Sequence, residues 1–199
     1  MSGETGSDDV GTDGTDSAEY GTLEREPDGM SVLRYRRRLA HPLQKVWRAL
    51  TEDAHLAEWF PTTIEGERAA GAPLLFSFRE GEGEPFDGEM LAFDAPTLME
   101  LRWADDVLRF ELAPDGSGCV LDLIVTFPEN GKAARDAAGW HVCLEQLDFA
   151  CVGAPLPWEP PDRWRLVHRS YVERFGPAAS TLGPPEEGER VHGEGATAQ

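Results

Sequence analysis

The chain has 199 residues, a formal net charge of -19 at pH 7, 40% hydrophobic side chains and only two lysines, Lys45 and Lys132. One domain with tails fits that length better than two small domains, and an acidic chain without clustered Lys and Arg is not expected to bind nucleic acid through its phosphates. No apolar run approaches the ~20 residues of a membrane span, and no N-terminal stretch resembles a signal peptide, so a cytoplasmic protein is expected.

The two ends are polar. Residues 1–30 carry nine acidic side chains against the single Arg25, and residues 176–199 are rich in Gly, Pro, Glu and Ala. Such stretches bury too little apolar surface to offset the entropy of ordering. The expected layout is a disordered acidic tail over 1–30 and one domain over 31–153. A Pro-rich connector with an amphipathic helical extension follows over 154–175, and a second disordered tail over 176–199.

The ordered chain is expected to begin near Ser31 with a strand in which Arg34, Arg36 and Arg38 occupy exposed positions, ending at His41-Pro42. Pro42 suits a first helical turn, and Leu43, Val46, Trp47 and Leu50 follow at helical spacing. Asp53 reads as the N-cap of a second short helix, with Leu56, Trp59 and Phe60 on one side and Pro61 as its stop. Strand-like segments come next. Leu74, Phe76 and Phe78 share a face, a turn falls over 81–84, and residues 86–93 form a further strand. Met99, Leu101 and Trp103 alternate with Glu100 and Arg102; Asp105-Asp106 is a solvated turn; Leu108, Phe110 and Leu112 alternate with Arg109 and Glu111. The last strand aligns Leu121, Leu123, Val125 and Phe127 before Pro128. Short alternating strands at this spacing predict an antiparallel meander with one buried face.

Asn130 reads as the cap of a helix running from Gly131 to about Val152, ~30 Å long, in which Ala137, Trp140, Leu144, Leu147 and Cys151 recur every three or four residues. A final amphipathic segment over 162–175 sets Trp164, Val167, Tyr171 and Phe175 against Arg163, Arg165, Arg169 and Arg174, and is expected to pack on the protein itself. Cys119, Cys143 and Cys151 have no metal-type spacing. Cys143 and Cys151 lie eight residues apart on one helix, ~12 Å along its axis, beyond the ~7 Å reach of a disulfide.

A strand, two short helices, five or six antiparallel strands and a long helix form an α+β helix-grip order, with six or seven strands curved around that helix. Within it, residues 42–51, Leu56 to Trp59, Gly88 to Trp103, and Gly139-Trp140 with Leu144 and Leu147 resemble the SRPBCC superfamily (START/Bet v 1-like), in the group related to the activator of heat-shock-protein-90 ATPase. The resemblance implies a cavity between sheet and helix that takes a small hydrophobic or amphipathic ligand without covalent chemistry. A protein-interaction or co-chaperone-like module is the alternative, with a protein partner, and a polyketide cyclase-like enzyme is the second.

The residues expected to line such a cavity are Phe76 and Phe78; Met99, Leu101 and Trp103; Leu108 and Phe110; and Leu121, Leu123 and Val125. Trp140, Cys143, Leu144 and Leu147 lie over them on the long helix. Of the histidines His41, His55, His141, His168 and His192, no pair has ligand spacing, and His141 is expected on a solvated helix face. Neither Gly-rich stretch has the helix start that a phosphate-binding loop needs. No catalytic residue, metal or cofactor is expected, and catalysis is the weaker reading.

Overall fold

Alternation of apolar and polar residues builds the sheet. A computed structural model describes residues 20–79 and 83–183. Its strands are β1 (Thr22–Arg25), β2 (Ser31–Leu39), β3 (Thr62–Glu65), β4 (Pro73–Phe78), β5 (Phe86–Asp94), β6 (Leu98–Trp103), β7 (Asp106–Asp115) and β8 (Gly118–Phe127). They form one antiparallel sheet in the order β1-β2-β8-β7-β6-β5-β4-β3. In β8 the buried residues are Cys119, Leu121, Leu123, Val125 and Phe127, every second position. Register carries this row sideways: Leu123 pairs with Tyr35 of β2 and Phe110 of β7, and Phe110 with Met99 of β6. All four are at most 2% exposed, so side chains from four strands meet on one apolar face.

Among the described residues the α-helices are α1 (Leu43–Thr51), α2 (Asp53–Leu56), α3 (Ala133–Val152) and α4 (Pro160–Phe175). Among the described residues no helix is long and apolar enough to cross a membrane. This is the α+β helix-grip architecture, with the strand count raised from six or seven to eight. The two added strands, β1 and β3, are four-residue edges, too short to show a periodicity of their own.

Order also begins before Ser31. Thr22 pairs with Arg34 and Arg25 with Ser31. At Gly21 the chain leaves the sheet edge: a Cβ there would fall 2.5 Å from the Tyr35 ring, and its N–H donates to the Tyr171 hydroxyl at 2.8 Å. The remainder of the expected N-terminal tail, residues 1–19, lies outside the described residues, as do residues 184–199 and the first half of the expected 81–84 turn. Residues 176–183 are docked. Ala179 is buried in a 3-10 turn (Pro177–Ala179), and the Leu182 N–H donates to the Gly131 carbonyl at 3.0 Å.

Asn130 does not cap α3. It starts a separate 3-10 turn (Asn130–Lys132) with no capping bond, its side chain accepting from the Ser31 hydroxyl and donating to the Ala178 carbonyl. α3 ends at Gly153, whose φ of 65° supplies the left-handed residue that closes many helices. Ala133, Ala134, Ala137 and Ala138 are all fully buried, and their small side chains let α3 lie close to its neighbours. α4 begins with Pro160-Pro161 in its first turn, where a missing N–H costs nothing. It packs on α3 through buried Val167 and Tyr171, the self-packing expected of its apolar stripe.

Candidate functional site: an apolar pocket at the mouth of the grip

One turn of α3 borders an open space. Gly139 stands in the middle of this twenty-residue helix, where glycine is less favourable than alanine by about 1 kcal/mol. A Cβ built on it meets no heavy atom within 4 Å, so close packing does not require the glycine. The space beside it is a pocket of about 220 Å³. α3 contributes Arg135, Asp136, Gly139, Trp140 and Cys143 to the wall; the end of β6 contributes Trp103, α4 contributes Trp164, and Pro61 closes the corner between α2 and β3. Arg79 holds that corner by donating to the carbonyls of Leu56, Ala57 and Thr62.

The wall is mostly aromatic. The rings of Trp103 and Trp140 lie 5.7 Å apart at 68°, and Trp140 also leans on Phe60 at 5.8 Å. Trp164 carries His168 stacked on it at 4.6 Å and 14°. The Cys143 thiol is pushed up to about 12 by burial, so it stays protonated and packs as a small apolar group. Charge is confined to one side, where Arg135 donates to Asp136 at 2.8 Å. Asp136 also meets Lys132 at 3.3 Å, and Lys132 grips both oxygens of Asp106 at 2.7 Å. Asp106 is only 3% exposed, so it is the buried anchor of this pairing and not the solvated turn residue expected.

The structure divides the expected cavity residues into two groups and leaves Phe78 in neither. Trp103, Trp140 and Cys143 line the pocket. Met99, Leu101, Leu108, Phe110, Leu121, Leu123, Val125, Leu144, Leu147 and Phe76 are at most 2% exposed and belong to the continuous core beneath it. Phe78 is half-buried against Phe86. Arg135, Asp136, Gly139, Trp164 and Pro61 were not among the expected lining. The available signal was Gly139, an isolated glycine within an otherwise helical pattern.

A second polar cluster lies between α3, α4 and the N-terminal segment. His141 is 1% exposed, which corrects the expectation of a solvated face: α4 and Tyr20 cover it. Its Nε2 lies 3.2 Å from Glu145 and its Nδ1 3.1 Å from the Tyr171 hydroxyl. Burial raises the Glu145 carboxyl, but hydrogen bonds from Arg163 and His141 outweigh it and hold the group down at about 2. Tyr171, pushed up to about 12 chiefly by burial, accepts the Gly21 N–H. The Tyr20 ring packs on both His141 and Tyr171, under the Arg174 guanidinium. With His141 and Tyr171 at 1% and 0% exposure, the cluster fastens three segments together and offers no reachable acid–base pair. Among the described residues no group of three His, Cys, Asp or Glu side chains could hold a metal ion.

The architecture recurs in solved structures. A conserved protein of unknown function from Enterococcus faecalis superposes with a TM-score of 0.66 at 20% identity, over 80% of this chain and 92% of that one. CalU16 from Micromonospora echinospora superposes with a TM-score of 0.62 at 20% identity, over 77% and 95%. The protein MLL2253 from Mesorhizobium loti gives 0.55 at 23% identity, over 63% and 99%. At these identities the likeness is one of fold. No curated protein matches the chain. The family described as Activator of Hsp90 ATPase homolog 1-like protein matches residues 40–150, from just before α1 to the last turn of α3. That match spans more than half of the chain and takes in six of the eight strands, and the chain therefore belongs to the Activator of Hsp90 ATPase homolog 1-like family of the SRPBCC superfamily.

Proposed function

We propose that this protein binds a small apolar or amphipathic molecule, without covalent chemistry, in the pocket between β6, α3 and α4. The observation that carries the reading is Gly139, a mid-helix glycine with open space at its Cβ, on the wall of an apolar pocket. The helix gives up propensity at one position and keeps the pocket clear. At about 220 Å³ the pocket falls below the ~300–1,000 Å³ typical of sites for drug-sized ligands. The occupant is therefore a single ring or a compact head group, with any longer part outside. A reduced, cytoplasmic setting suits the three free cysteines.

Native mass spectrometry of the freshly purified protein, before and after organic extraction, tests the reading. A copurifying small molecule that extraction releases is expected. The variant Gly139→Leu, which pushes a side chain into the pocket, should purify without it while keeping its fold by circular dichroism. An equal load on the variant would place the ligand elsewhere. A clean mass for the wild-type protein, with no uptake from a panel of small aromatic and amphipathic compounds, would refute binding and turn attention to a protein partner.

A further inference from the structure

Three of the six tryptophans in the chain surround this one small pocket. They come from three separate elements, so no local sequence pattern brings them together; the tertiary fold does. If the pocket is a ligand site, as argued above, this arrangement narrows the chemistry of the ligand. We infer that the pocket receives the methylated ammonium group of a small organic cation.

Indole is the side chain whose π face attracts a cation most strongly, and aromatic enclosures of this kind suit quaternary ammonium groups. Trp103 and Trp140 meet edge to face at 68°, so they wall the space from two directions. Trp164 arrives from α4, and His168 already covers one of its faces, so its other face or its edge is what remains for the pocket. The space equals roughly seven water molecules at ~30 Å³ each, room enough for a trimethylammonium group.

Charge at the rim leaves the choice of ligand sign to the rings. Arg135 and Lys132 are balanced there by Asp136 and Asp106. Beyond the rim the chain is strongly acidic, which draws cations towards it. A bare ammonium would lose its hydrogen bonds to water against a wall with few acceptors. Methyl groups remove that need: they spread the charge and present an apolar surface to Trp103, Trp140, Trp164 and Pro61.

The test compares choline with 3,3-dimethyl-1-butanol, which has the same shape with carbon in place of nitrogen, by calorimetric and tryptophan-fluorescence titration of the full chain. Choline is expected to bind about tenfold or more tightly than its neutral isostere. Trp164→Leu, which keeps an apolar wall but removes one indole, is expected to reduce that preference several-fold, read as the ratio of the two affinities in the same variant. Equal affinities, or a preference for the alcohol, would overturn the ammonium assignment and leave an apolar ligand site standing. Binding of neither probe would also overturn it, and the mass-spectrometric experiment then decides independently whether the pocket binds anything.

Discussion

Replacing Gly139 with alanine should stabilise the protein, against the usual outcome for a substitution near a candidate site. In the middle of a helix, glycine exposes more backbone and loses more entropy on folding than alanine, a difference of about 1 kcal/mol. That gain survives only if the new methyl meets no obstacle. Here none lies within 4 Å, and the backbone is already helical. The methyl would project into a pocket of about 220 Å³ and fill only a small part of it. The expected gain is therefore about 1 kcal/mol, a rise of roughly 2–4 °C in Tm for a domain of this size. Urea denaturation should show a higher midpoint with an unchanged slope, the sign of a pure stability change. A lower midpoint would refute the reasoning, because it would mean that the wall beside Gly139 is closed and that the glycine relieves a clash.

Two further predictions concern the cluster behind the pocket. Tyr171→Phe removes the acceptor of the Gly21 N–H and the partner of His141. Leaving buried polar groups unpaired should cost about 2 kcal/mol or more and speed hydrogen exchange at the Gly21 amide, and unchanged stability with unchanged protection would show that the N-terminal segment is held by other contacts. Glu145 titrates at about 2 against an ordinary 4.5, a depression worth roughly 3 kcal/mol at 1.36 kcal/mol per unit. Because the folded value is the lower one, this stability is present in full above 4.5 and is lost as pH falls through about 2. Chemical denaturation of wild type and Glu145→Gln should show a gap that closes on acidification, and a gap independent of pH would mean that the carboxylate charge is not what Arg163 and His141 hold.

Much of the architecture was legible in the sequence, because alternation and helical spacing are local signals. β8 shows this best: every second residue from Cys119 to Phe127 is buried, and the same alternation stands in its letters. α1, α3 and the apolar stripe of α4 were readable for the same reason. Elements defined by their neighbours were not. β1 and β3 are strands because β2 and β4 offer them an edge, and four residues carry no period that would announce it.

Burial of polar groups was equally out of reach. Asp106 looked like one of a solvated pair, and His141 like a surface residue of α3; each is buried by a partner distant in sequence, Lys132 in one case and Tyr171 in the other. The pocket is the clearest instance of what only the tertiary structure decided. Residues with alternating apolar spacing were readable as an interior, but whether an interior is filled or open depends on side-chain volumes meeting across elements. The row from Phe76 to Val125, apart from Phe78 and Trp103, packs into a continuous core. The open space appears one layer out, where Gly139 of α3 faces tryptophans brought from β6 and α4. Periodicity along one chain determines which face is apolar, while the volume left between faces is a property of their contact.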